Sequence, residues 1–160
     1  MPDLENRLYL ELESGRVVID LRPDLAPNHV ARIKELARQN FYDGIVFHRV
    51  IDGFMAQTGD PTGRGTGGSG QKLDAEFSQE GHVRGTVSMA RTQDPNSGDS
   101  QFFICFDAAP HLDRQYTVWG QVVEGMELVD GIKKGAGGGG MVTEPDKIKT
   151  LRVAADVEAA

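Results

Sequence analysis

The chain has 160 residues, 39% of them hydrophobic and 26% charged, with a net charge of −7 at neutral pH. That composition suits one globular domain with a core of its own and excludes a disordered chain. Residues 1–80 carry 9 basic and 13 acidic groups and residues 81–160 carry 8 and 11, so neither half offers the basic surface that nucleic acid requires. No apolar run reaches the roughly 20 residues of a membrane span. Met1 to Arg7 lacks the apolar core of a signal peptide, and the expected location is the cytoplasm.

Leu8, Leu10 and Leu12 alternate with Tyr9, Glu11 and Glu13, the pattern of a half-buried strand. Ser14-Gly15 reads as a turn and Val17–Leu21 as the returning strand. Pro27 suits a helix's first turn, and Val30, Ile33 and Ala37 recur at helical spacing until Gln39-Asn40. Val46–Ile51 and Phe54–Thr58 read as strands joined by an Asp52-Gly53 turn. Gly59–Gln71, rich in Gly, Ser and Thr, reads as a long surface loop. Further strands are expected at Val83–Ala90, Gln101–Phe106 and Tyr116–Val123. Met126–Lys133 reads as a short helix, Gly135–Gly140 as a flexible loop and Ile148–Val157 as a closing strand. About eight strands and two helices, without β-α-β alternation, imply an antiparallel barrel or sandwich with helices over its ends.

Several apparent motifs fail. Gly63–Gly68 satisfies G-x-G-x-x-G, but no strand precedes it and no helical periodicity follows, so it reads as a loop. Asp94–Asp99 opens like a calcium loop, yet the twelfth position is Cys105 rather than an acid. The four histidines lack zinc spacing, and no Ser sits in a G-x-S-x-G elbow. The single cysteine, Cys105, lies in the apolar run Phe102–Phe106 without an activating neighbour, and reads as a buried thiol. No cofactor and no metal are expected.

Two stretches remain, Phe47–Gln57 and Ser100–Ile104. Alternate residues of a strand share a face, which pairs Met55 with Gln57 and Gln101 with Phe103. Brought together near Arg49, these faces make an apolar surface rimmed by amides and one guanidinium. Such a surface can hold a small apolar ring and hydrogen-bond the peptide around it.

These stretches resemble the cyclophilin family of peptidyl-prolyl cis-trans isomerases. The resemblance rests on Phe47-His48-Arg49-Val50-Ile51, Gly53-Phe54-Met55-Ala56-Gln57-Thr58-Gly59-Asp60, Gly65-Thr66-Gly67-Gly68, Ser88-Met89-Ala90 and Ser100-Gln101-Phe102-Phe103-Ile104, in the family's order. It spans Arg7 to Val157 and is nearer to bacterial members than to eukaryotic ones. It implies a mainly β fold: a closed eight-stranded antiparallel barrel capped by two α-helices, a single domain over residues 1–160. It implies Arg49 as the catalytic arginine. Phe54, Met55, Phe103 and Leu112 would line a proline pocket, Gln57 and Gln101 would hydrogen-bond the substrate backbone, and Ala90 and Arg91 would form a substrate-facing edge. Three departures stand out. Arg91 replaces a frequent Asn, and the Arg91–Gln101 stretch is one residue longer. At the pocket, His111 replaces a frequent Trp and Tyr116 the usual pocket His. Tyr116 reads either as pocket wall or as barrel packing. The expected partners are proline-containing peptides and folding protein chains, with weakened affinity for cyclosporin because of His111.

Two rivals differ in class. A binding module would use the same groove without turnover. A small-molecule carrier would need a hollow barrel, which the bulky inward candidates Leu8, Val17, Ile19, Phe102, Ile104 and Val118 argue against. No apolar surface stripe is left over, so a monomer is expected. Sedimentation should give a mass near 17.4 kDa, and twice that value would refute it.

Overall fold

The computed structural model describes residues 4–63, 67–135, 140–142 and 144–158. Gly65-Thr66 and most of the expected Gly135–Gly140 loop lie outside the described residues. The strands are β1 (Arg7–Leu12), β2 (Gly15–Leu21), β3 (Arg49–Ile51), β4 (Met55–Thr58), β5 (Thr86–Met89), β6 (Phe102–Cys105), β7 (Val118–Glu124) and β8 (Thr150–Val153). The helices are α1 (Pro27–Arg38), α2 (Met126–Asp130) and α3 (Ala154–Glu158). All strands belong to one antiparallel sheet ordered β3-β4-β6-β5-β7-β2-β1-β8.

The sheet curls into a half-barrel. The continuous ladder of a closed barrel is not present between β8 and β3 among the described residues. In its place Val46 bridges to Lys147, with Gly44 N–H donating to the Ile148 carbonyl, Phe47 N–H to that of Asp146 and Ile148 N–H to that of Ile45, each at 2.8 Å, and a second bridge joins Arg49 to Met141. The expected strand Val46–Ile51 is shortened for the same reason. Its first residues pair with 146–148, its middle pairs with Gly140 and Val142, and only Arg49–Ile51 joins β4.

The expected closing strand Ile148–Val157 is also corrected. It ends at Val153, and Ala154–Glu158 turns into α3, which lays Ala154 and Val157 against Tyr9 and Val18 on the outer face. Alternation explains the double coverage, because β1 and β2 send every second side chain outward. Helix α1 begins at Pro27 as expected, but its cap comes from far away. The Glu76 carboxylate accepts the N–H groups of Asn28 (3.2 Å) and His29 (2.9 Å), which a local Ser or Asp would otherwise take.

The interior is filled. Leu8, Val17, Ile19, Phe102, Ile104 and Trp119 are buried in one cluster, to which α1 adds Val30, Ile33 and Leu36 and α2 adds Val129. Tyr42, Phe102 and Trp119 meet edge to face at 5.5 and 5.3 Å. A hollow carrier is therefore not what the described core forms. Among the described residues no helix is long and apolar enough to cross a membrane.

His29, His48 and His82 are all buried, and desolvation pushes each below the ordinary imidazole pKa, against the pull of Glu76, Asp60 and Asp113 respectively. Among the described residues His48 has no hydrogen-bond partner at either ring nitrogen. Below about pH 6.5 the unfolded chain takes up these protons before the folded one does, so stability falls with pH, by up to about 1.4 kcal/mol per unit per histidine. Thermal melts from pH 7.5 to 5 should show a falling Tm, and His48→Gln should flatten the slope. A Tm independent of pH over this window would contradict it.

Candidate active site

Register builds the site. Arg49 of β3 pairs with Gln57 of β4, Gln57 with Phe103 of β6, and Phe103 with Ser88 of β5. These four residues form one row across four strands. The next row places Met55 opposite Cys105. The inward neighbours Ala56, Phe102 and Ile104 belong to the core, while Met55, Phe103 and Cys105 join Ala109 and Leu112 in a second apolar cluster on the other face. Ile51, Phe54, Ala90 and Tyr116 lean on that second cluster.

Close contacts hold the row in place. Gly59, which follows β4 with φ +98°, lies so near Ser100 that any Cβ would collide with the Ser100 backbone. The Ser100 hydroxyl donates to the Gly59 carbonyl (2.7 Å), and the buried Tyr42 hydroxyl donates to the Ser100 carbonyl (2.8 Å). On the edge side, Val50 N–H donates to Gly140 and Gly135 N–H to Val50, each at 2.8 Å, so a covering segment backs the strand that carries Arg49.

A cavity of about 320 Å³ opens over this face, lined by Arg49, Phe54, Met55, Gln57, Ala90, Arg91, Phe103, His111, Leu112 and Tyr116. Every site residue expected from sequence lies there except Gln101. Gln101 lines an adjoining groove of about 430 Å³ with Gly67, Lys72, Thr92, Ser97 and Asp99, and the two spaces share Gln57, Ala90 and Arg91. The polar residues form a chain. Arg49 Nη1 donates to Gln57 Oε1 (3.2 Å), Gln57 Nε2 to Gln101 Oε1 (2.9 Å), and Gln101 Nε2 to the Gly67 carbonyl (3.0 Å). Each amide is thereby oriented, and these bonds leave each a second hydrogen and one lone pair.

The glycine-rich loop is explained by carboxylates, not by phosphate. Asp60 leaves no room for a Cβ at Gly67, and Asp99 takes the N–H groups of Ser69 (2.8 Å) and Gly70 (3.1 Å) that an anion would need. Nothing in the sequence marked Asp99 as a groove residue, because its partners Ser69 and Gly70 lie about thirty positions away in a polar loop.

A family model for the cyclophilin type peptidyl-prolyl cis-trans isomerases matches residues 7–153. The chain belongs to this family. It is 54% identical to a probable peptidyl-prolyl cis-trans isomerase of Brucella suis, over 98% of this chain and 86% of the relative. It is 40% identical to a peptidyl-prolyl cis-trans isomerase of Synechococcus elongatus, over 92% of this chain and 95% of the relative. The fold is similar to the cyclophilin AquaCyp293 of Hirschia baltica (TM-score 0.84, 31% identity, 96% of this chain and 76% of that one). It is also similar to a Cryptosporidium parvum cyclophilin solved in the presence of the dipeptide Ala-Pro (TM-score 0.85, 27% identity, 92% of this chain and 98% of that one). The chain is an isomerase of X-Pro peptide bonds by family.

In this cyclophilin Tyr116 stands in the pocket wall, edge-on to Phe103 at 5.7 Å. The guanidinium of Arg91 lies over the Tyr116 ring at 4.5 Å and donates to the Gln115 carbonyl through Nε (3.0 Å) and Nη2 (2.6 Å). Its charge is thus committed to the wall, with the stem forming the ridge between the two cavities. His111 tilts against Phe54 at 5.4 Å on the opposite side. Cys105 is buried beneath Met55, and burial together with the negative Asp113 pushes its thiol up to about 12. That thiol stays protonated and does no chemistry.

Proposed function

We propose that Arg49 is the catalytic residue and that the 320 Å³ cavity holds the substrate proline. A peptide bond resists rotation by about 18–20 kcal/mol because the nitrogen lone pair is delocalised. X-Pro bonds populate both isomers but exchange in about tens to hundreds of seconds. Catalysis requires only that the twisted amide be held better than the planar one. Twisting returns the lone pair to the proline nitrogen, and a permanently charged donor aimed at it favours that state.

The observation that carries this reading is the position of Arg49 in one row with Gln57 and Phe103. A pyrrolidine ring resting on Phe103, Met55 and Leu112 brings its nitrogen toward the guanidinium. Gln57, Gln101 and the Ala90–Arg91 edge grip the chain on one side, while the other side turns. No proton is finally transferred, so no titrating catalyst is needed. The Ala-Pro dipeptide of the Cryptosporidium parvum crystal matches the ligand class this pocket suits.

The same reading takes the sheet as a barrel closed across the Val46–Lys147 bridge and capped by α1 and α2. It takes the protein as a cytoplasmic monomer acting on folding chains, supported by an acidic surface and a filled core. His111, smaller than the frequent Trp and lacking its indole donor, supports weak cyclosporin binding.

Exchange between cis and trans Ala-Pro peptide, followed by NMR, tests the first part. Arg49→Ala should lower kcat/KM by about 10²–10³-fold with the fold intact, as removal of one preorganised donor does. Retained activity would favour a groove that binds without this arginine. His111→Trp should tighten cyclosporin at least about tenfold, roughly 1.4 kcal/mol, in a competition assay. Unchanged affinity would locate the weakness elsewhere.

A further inference from the structure

Phe103 and Tyr116 form one wall of the pocket, and His82 stands behind them. The His82 side chain is fully buried (0% exposed) and lines neither cavity. Its ring stacks on Phe103 (centroids 6.2 Å, planes 18° apart) and meets Tyr116 edge-on at 6.4 Å. Its backbone N–H donates to Asp113 Oδ1 (2.7 Å), and its carbonyl accepts from Ala109 N–H (2.9 Å). Those two partners flank the short 3-10 helix Pro110–Leu112 that carries His111 and Leu112. Its Nδ1 lies 3.1 Å from Asp113 Oδ1 and its Nε2 lies 3.0 Å from Ser88 Oγ, the residue opposite Phe103 in the sheet. Side chain and backbone of one residue therefore join Phe103, Tyr116, Ser88 and both ends of the 3-10 helix.

The protons decide its state. An ionised Asp113 only accepts, so Nδ1 carries the hydrogen. Ser88 has one proton and two acceptors in reach, His82 Nε2 and the Thr117 carbonyl at 2.9 Å. That carbonyl already receives Met89 N–H (2.9 Å). A neutral imidazole with its hydrogen on Nδ1 then takes the Ser88 proton at Nε2. The order Ser88-His82-Asp113 is that of a hydrolase triad, but Ser88 is fully buried beside Phe103. No substrate carbonyl reaches its oxygen, so the chain orients and does not attack.

We propose that His82 is a positioning residue for prolyl isomerisation: held between Asp113 and Ser88 as the Nδ1–H tautomer, it fixes the Phe103–Tyr116 wall against which the substrate proline rests. This rests on the reading that the Arg49 cavity is the prolyl site. The test is imidazole and guanidinium NMR of the wild-type protein titrated with Ala-Pro peptide, joined to the kinetics of His82→Gln and Asp113→Asn. Free protein should show His82 protonated at Nδ1 only, and saturating peptide should shift its ring signals. Both variants should raise KM about fivefold or more, the loss of one buried hydrogen bond, with kcat within about twofold of wild type. An Nε2–H tautomer, or ring signals unmoved while those of Arg49 shift, overturns the proposal, as do variants with wild-type KM. Peptide that shifts neither His82 nor Arg49 overturns the placement of the prolyl site instead. If the variants do not fold, the wild-type tautomer and titration decide alone.

Discussion

Gln57 must sit opposite Phe103. Slip β4 by one residue against β6 and Met55 and Gln57 turn into the core while Ala56 turns out, so Gln57 no longer shares a face with Phe103. The contact of Gly59 with Ser100 makes that slip costly, because it joins the end of one strand to the start of the other. Tyr42, buried and hydrogen-bonded to the same Ser100, ties this junction to the helix side of the molecule. The position of Arg49 is thus set by packing on the far side of the sheet as much as by its own contacts.

This sheet is apolar on both faces where it matters. A half-buried antiparallel strand ordinarily shows one wet face. Here β4 and β6 carry a core cluster inside and a cavity-facing cluster outside, and all eight of their residues but Gln57 are buried. The outer cluster does not collapse into ordinary core, because only short segments cover it: the 3-10 helix with His111 and Leu112, and the Arg91–Tyr116 pair. A groove is what remains between covers that stop short.

Alternation and turns made most strands legible, and the shared faces of Met55 with Gln57 and of Gln101 with Phe103 follow from strand geometry alone. Even so, Gln101 reaches the adjoining groove, because it lies one residue before β6 begins. Local pattern failed where tertiary contact prevailed. Ile148–Val157 alternates, yet its last residues become α3 because Ala154 and Val157 find Tyr9 and Val18 to cover. The cap of α1 comes from Glu76, nearly fifty residues downstream. The Asp113-His82-Ser88 chain has no local signature, since its members are six to thirty-one positions apart.

Trp119 is the chain's only tryptophan. The register of β5 on β7 shifts between Val87 and Ser88, passing over Trp119, and the indole lies wholly in the core, its N–H without a partner among the described residues. It lines neither cavity, whereas the family's frequent Trp would stand at His111, in the wall of one of them. Intrinsic fluorescence excited at the indole therefore reports on the interior alone. The emission should lie to the blue in the native protein and change on unfolding, yet stay dark to peptide arriving in the groove. Folding and occupancy can then be followed by separate signals in a single sample.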